Sequence, residues 1–463
     1  MSIKERVFKK ESLDRYLAED GKFNKTLSAK DLISMGIGAV IGTGIFILPG
    51  TVAALHSGPA ITISFVIAAL VCSTAAMCYA EFSSALPIAG SAYSFGNVVF
   101  GEIVGWFLGW ALILEYMLSV AAVSTGFSAY FNSLLAGFGI HLPKAITGPF
   151  DPANGTFINL PAVLIVFFIA YVLSRGLRTS MTINSIVVVI KIAIIILFLL
   201  VGMFYVKPAN WDPFMPFGTK GVLVGAAQVF FAYLGFDVVA SSAAEVKEPA
   251  KNMPRGIIGT LAICTLLYIL VSIVLTGMIS YTKLNVADPV SFALYAVKQN
   301  WVAGIISVSA LAGMFTMMVT MVYSSSRLIY SIGRDGLLPK FLGQINEKTK
   351  TPEKSMLIVT VIIALTGGFF SLNQLTNLVN IGTLLAFMFV SLGVLPLRKR
   401  KDIPNKDGFK VPFYPVLPII SAILCAVMLA QLSLETWTAA FVWFAVGMVI
   451  YFSYGIKHSK INE

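Results

Sequence analysis

The sequence predicts an all-α integral membrane protein with twelve transmembrane spans, and three observations lead there. Hydrophobic residues make up 57% of the 463, charged residues 12%, and the mean hydropathy is +0.85, a balance too apolar for a water-soluble fold of this length. Apolar runs of roughly 20 residues, the length that crosses a bilayer as helix, recur along nearly the whole chain. Alternating strands of about ten residues do not recur, which excludes a β-barrel.

The expected spans run over 31–54, 59–84, 99–133, 158–176, 181–206, 218–243, 256–281, 301–333, 355–371, 374–396, 413–432 and 436–455. Residues 1–30 are polar and hold no short apolar core followed by a small-residue cleavage site, so they read as a tail and not as a signal peptide. With that tail in the cytoplasm, 27 of the 33 Lys and Arg fall inside. Lys144, Lys207, Lys220, Lys283 and Lys298 fall outside, and Lys191 is left within span 5. The positive-inside rule thus accounts for the net charge of +11 and the pI near 9.3 without a nucleic-acid partner. Both termini are then cytoplasmic, with residues 456–463 as the second tail.

No composition shift marks a soluble domain. The longest polar stretches are the amino-terminal tail, the 334–354 loop and the basic 398–411 loop, RKRKDIPNKDGFKV, which read as cytoplasmic anchors. Cys72, Cys78, Cys264 and Cys425 fall within apolar spans without CxxC spacing and read as packing residues. His56, His141 and His458 lie far apart near span ends, so no metal site, catalytic constellation or cofactor is expected.

Span 1 is built to break. The stretch GIGAVIGTGIFILPG, 36–50, places five glycines in a lipid-embedded helix, each weakening it by about 1 kcal/mol relative to alanine. Span 6 carries FFAYLGFDVVASSAAE, with Gly235 and Asp237 inside an otherwise apolar stretch. Interrupted helices at matching places in two halves of a chain point to a transporter's binding site. Unwinding strands NH and C=O groups in the bilayer, at several kcal/mol each unless protein or a polar ligand satisfies them. The NH groups at the positive end of a broken helix suit a carboxylate and the freed carbonyls suit an ammonium, so a zwitterionic amino acid fits both breaks at once. Close helix packing through Gly38, Gly42 and Gly44 explains span 1 equally well by itself. The second break, in span 6, is what favours a site.

At this point several motifs resemble, in order, those of one family: GIGAVIGTGIF in span 1, PIAGSAYSF before span 3, FFAYLGFD in span 6, EVKEPAKNMPRGI after it, and RLIYSIGRDGLLP after span 8. The chain resembles the amino acid–polyamine–organocation superfamily, in its cationic-amino-acid-transporter subgroup, and most closely the bacterial permeases. The twelve spans match the bacterial pattern, since many animal members have fourteen. The resemblance implies a leucine-transporter-like five-plus-five inverted repeat: 31–206 and 218–396 as the two repeats, 413–455 as two extra helices, and substrate midway between spans 1, 3, 6, 8 and 10. It further implies that Thr43 and Gly44 bind a substrate carboxylate through backbone NH groups, and that Ile41, Phe231, Ala232 and Leu234 offer carbonyls to its ammonium. The Phe231 ring would close over the substrate on the extracellular side, and Gly42, Gly235 and Asp237 would be structural and gating positions.

Lys191 lies about ten residues from either end of span 5, close to mid-bilayer at about 1.5 Å per residue, where snorkelling to either surface is hard. Desolvated lysines can exchange protons. Lys191 reads either as a structural lysine bonded to carbonyls or as a coupling residue. In related proton-coupled permeases a span 5 lysine stands in for a sodium ion beside the unwound part of span 1, so the coupling role is the one expected, with no sodium dependence. Glu115, central in span 3, either lines the site and attracts cationic substrates or is a protonated structural acid. Asp237 is expected to order the unwound segment, and Glu81 and Glu102, nearer span ends, to find cytoplasmic partners.

In span 8, GMFTMMVTMVYSSSR, alignment by motif places Met321 against the substrate side chain. A thioether there fills the space a guanidinium needs and forms an adaptable apolar wall. The expected function is therefore proton-coupled transport of neutral aliphatic, branched-chain amino acids across a bacterial plasma membrane, with a cationic or broad-range exchanger as the alternative. A membrane enzyme would need paired His, Asp or Cys groups that the spans lack. A sensor of the same fold would keep the breaks, and only the lack of a signalling segment in the sequence speaks against it.

Overall fold

The computed structural model describes residues 7–13, 25–88, 90–174, 181–346, 352–403 and 408–460, without the side chains of 181–184. The expected tails, parts of the 334–354 and 398–411 loops, and Ala89 of the PIAGSAYSF motif therefore lie wholly or partly outside the described residues. Among those, all regular structure is helical, apart from isolated bridges such as Leu27 with Val246.

Span 1 is discontinuous. Helix α1 (Ala29–Val40) stops where Ile41 turns extended (φ −78°, ψ 100°) and Gly42 takes φ −143°, ψ −134°. The chain resumes as α2 (Thr43–Phe46) and α3 (Leu48–Val52), then bends through a π-helical turn, Ala53–Ser57, into α4 (Ile61–Ala85). A short helix, α5 (Ser91–Val99), leads into the long α6 (Glu102–Gly137), followed by α7 (Leu160–Ser174) and α8 (Met181–Met203). Span 6 is interrupted likewise: α9 (Gly218–Val229) passes into a 3-10 turn, Phe230–Tyr233, and α10 (Phe236–Ser241) begins after Gly235, whose φ of +114° suits glycine alone. Then come α11 (Pro249–Met278), α12 (Pro289–Ala296), α13 (Asn300–Arg334), α14 (Glu353–Phe369), α15 (Leu372–Leu397), α16 (Val416–Leu429) and α17 (Leu434–Ile450).

Among the described residues, eight stretches are long and apolar enough to cross a membrane, covering expected spans 2, 3, 5, 6, 7, 8, 10 and 12. The other four expected spans fall on shorter described helices: span 1 is cut at Ile41–Gly42, and α7, α14 and α16 are described over 15, 17 and 14 residues.

Helix α6 is buried along most of its length against α13 and α15. Helix α1 packs on α11 through small residues: a Cβ on Gly256 would lie 2.6 Å from Leu32 Cβ, and one on Gly259 2.9 Å from Ile33 Cδ1. At one end of the bundle Arg398 holds Glu81 with two nitrogens, at 2.7 and 2.8 Å, while the Val411 NH donates to the same carboxylate at 2.6 Å. Glu102 gathers both ends of the described chain: its NH donates to Lys9 O (3.1 Å), and its carboxylate accepts from Tyr451 (2.8 Å) and from Ser459. Both acids thus find partners near a helix end, as their positions in the sequence suggest.

Candidate functional site

The two breaks meet each other. A Cβ on Gly44 would fall 2.7 Å from the Cα of Ala232, and one on Gly235 would fall 2.9 Å from Ala39 O. The glycines of span 1 therefore serve two purposes, Gly36 packing against Thr260 of α11 and Gly44 admitting the other broken helix.

The Lys191 side chain is 1% exposed, and its Nζ donates to Gly38 O at 3.2 Å and Ile41 O at 3.1 Å. Those are carbonyls that the break releases, and charge-assisted bonds to them are stronger than neutral ones. Among the described residues no carboxylate forms an ion pair with it. The Cys264 thiol of α11 is the titratable neighbour.

Just past the break in span 6, Asp237 accepts a 2.7 Å bond from the Tyr116 hydroxyl, which ties the start of α10 to α6. Glu115, 1% exposed, neighbours Asp237, and among the described residues neither of its oxygens has a hydrogen-bond partner. The Thr383 hydroxyl is near but donates to Val379 O at 3.1 Å. Thr43 Oγ1 and Ser119 Oγ are also buried without a partner. Buried, unsatisfied polar atoms of this kind are costly in a membrane interior unless something polar binds them.

Of the carbonyls expected to face a ligand, Ile41 O is held by Lys191, Phe231 O by the Leu234 NH (3.2 Å), and Ala232 O by the Tyr268 hydroxyl (2.6 Å). The Tyr268 hydroxyl also lies 3.2 Å from Val40 O, so this α11 side chain spans both breaks. Sequence reasoning missed it, since a tyrosine in an apolar span reads as core. Met321 is buried at 1% on α13, but the sulfur at the break belongs to Met317, one turn earlier, which occupies the place of a Gly42 side chain. Phe231 is 3% exposed within the 3-10 turn of span 6.

The backbone is thus opened at two facing points, with the amides of Thr43 and Gly44 beside the carbonyls of the span 6 break. The amino acid permease family matches over residues 27–454. This chain belongs to the amino acid permease family. The permease is 51% identical over 459 residues to the "Methylthioribose transporter" of Bacillus subtilis, covering 99% of each chain. It is 46% identical over 468 residues to the "Branched-chain amino acid permease BcaP" of the same organism, covering 100% of each. With the BcaP protein of Lactococcus lactis it shares 40% identity over 463 residues, 98% of this chain and 99% of that one. It is a multi-pass membrane transporter and not an enzyme.

Proposed function

We propose that this permease moves neutral aliphatic amino acids, chiefly Leu, Ile and Val, across a bacterial plasma membrane by proton-coupled alternating access. The observation that carries the proposal is the Lys191 ammonium held on two carbonyls at the break in span 1. While protonated, it binds α1 to α8. On losing its proton it becomes a weaker donor, and α1 is free to swing. The relatives named for branched-chain amino acids support the substrate class.

In this reading twelve crossings form inverted repeats over 31–206 and 218–396, with 413–455 added. The meeting of both described chain ends at Glu102 supports an even number of crossings. The amides of Thr43 and Gly44 hold the substrate carboxylate, and the carbonyls of Ile41, Phe231, Ala232 and Leu234 receive its ammonium. Three of these carbonyls already accept one bond, and the second lone pair of each takes the substrate. Phe231 closes the extracellular side and Met321 walls the side-chain pocket.

A second reading, uptake of methylthioribose, is favoured by the relative that bears that name. An uncharged thiosugar has no carboxylate for the Thr43 and Gly44 amides, and its hydroxyls would donate to the unpartnered Glu115 oxygens. Uptake of labelled leucine and of labelled methylthioribose into sodium-free proteoliposomes, with and without an inward proton gradient, separates the readings. Gradient-driven accumulation of leucine, lost in Lys191→Ala and in the permanently charged Lys191→Arg, supports the first. Normal accumulation by Lys191→Ala ends the coupling role, and accumulation of methylthioribose without leucine establishes the second.

A further inference from the structure

Lys191 reaches the break only because α13 makes room for its stem. A Cβ built on Gly313 would lie 3.0 Å from Lys191 Cε and 3.6 Å from both Cδ and Cγ. Three successive carbons of the lysine therefore lie flat on the bare backbone of α13. Four residues on, and so on the same helical face, Met317 fills the space beside Gly42. One face of α13 thus backs both the lysine stem and the broken backbone that its ammonium grips. Nothing in the helix itself requires a glycine at 313, which lies mid-helix, where glycine costs about 1 kcal/mol relative to alanine.

We propose that Gly313 is a positioning residue for Lys191: the absent side chain lets the lysine stem lie along α13 and sets the ammonium on the Gly38 and Ile41 carbonyls. A methyl group at 313 would meet the stem at its Cε, the carbon that carries Nζ. The stem must then give by a few tenths of an ångström at Cε, which lengthens the 3.1 and 3.2 Å bonds of the ammonium to its two acceptors while the substrate contacts of Thr43 and Gly44 stay in place. The proposal rests on the coupling role of Lys191 for its functional consequence, and on geometry alone for the contact.

The test is a double-mutant cycle on the full-length protein. Gly313→Ala and Lys191→Ala are made singly and together, with Gly304→Ala as the control, because a Cβ at Gly304 on the same helix meets nothing within 4 Å. Thermal stability in detergent, leucine binding by thermal shift, and the pH profile of gradient-driven leucine uptake are read for each. Gly313→Ala should retain leucine binding within about threefold, lose tenfold or more of gradient-driven uptake, and displace its pH profile. In the Lys191→Ala background, where no stem remains to displace, the same substitution should raise stability as Gly304→Ala does, by the helix propensity of alanine over glycine, and leave residual exchange unchanged. The proposal is overturned if Gly313→Ala changes stability by the same amount in both backgrounds, or if its uptake and pH profile match those of Gly304→Ala. If instead the cycle shows coupling but Lys191→Ala accumulates leucine normally, the contact stands and the coupling role of Lys191 falls.

Discussion

Gly44 and Ala232 touch backbone to backbone, with the site of a Gly44 side chain 2.7 Å from the Ala232 Cα. Any Cβ there must push the two broken helices apart, and a bulky side chain would also occupy the space that the proposed site gives to a substrate carboxylate. Gly44→Leu should therefore abolish binding. The check is thermal stabilisation by leucine, and a shift equal to the parent's would return this glycine to a packing role alone.

Tyr268→Phe keeps the ring, whose centroid lies 5.2 Å from that of Tyr233, and removes the one hydroxyl shared by Val40 O and Ala232 O. A buried carbonyl left without its donor costs about 1–3 kcal/mol. The variant should melt earlier in detergent and bind leucine with altered affinity. If both properties match the parent's, the hydroxyl does not pin the breaks together.

If Met321 walls the side-chain pocket, Met321→Ser should admit longer or cationic side chains and weaken branched aliphatic ones by about 1–3 kcal/mol. The competition profile of all common amino acids against labelled leucine reads this out. Since Met317 is the residue seated at Gly42, the same panel on Met317→Ser tells the two methionines apart. A change in selectivity with Met317→Ser alone moves the pocket wall one turn.

Asp288 precedes α12 in the loop between spans 7 and 8, where burial raises its carboxyl above the usual aspartate value of 3.8 and a 2.5 Å bond from Ser133 opposes the rise. A carboxyl raised on folding binds its proton more tightly in the folded state, so its contribution to stability is present at low pH and is lost as pH rises from about 4 through the raised value. Asp288→Asn, which still accepts from Ser133, should flatten that part of the stability curve and melt later than the parent at neutral pH. Parallel curves for the two proteins across pH 4 to 8 would show that this carboxyl contributes nothing to the pH dependence.

The breaks were legible because their signals are local: glycines in an apolar run, and an aspartate where lipid would forbid one. Lys191 stood out for the same reason. Tyr268 gave no such sign, because its hydroxyl finds its partners only once α11 lies across both breaks. Met317 and Met321 share one face of one helix, and periodicity cannot choose between residues a turn apart. Hydropathy runs on across Ile41 and Gly42 while the hydrogen-bond ladder stops there, so it was the glycines and not the apolarity that announced the break. The contact between Gly313 and the lysine stem lies across a tertiary interface, and nothing in either segment alone announces it.

All four cysteines are free and buried, and one of them, Cys264, neighbours the Lys191 ammonium. The native protein therefore carries its own chemical reporter at the point where water must arrive if the lysine is to trade a proton. A small hydrophilic alkylating reagent finds no thiol at the surface, so its rate of reaction at Cys264 measures how often, and from which side of the bilayer, water reaches the surroundings of Lys191.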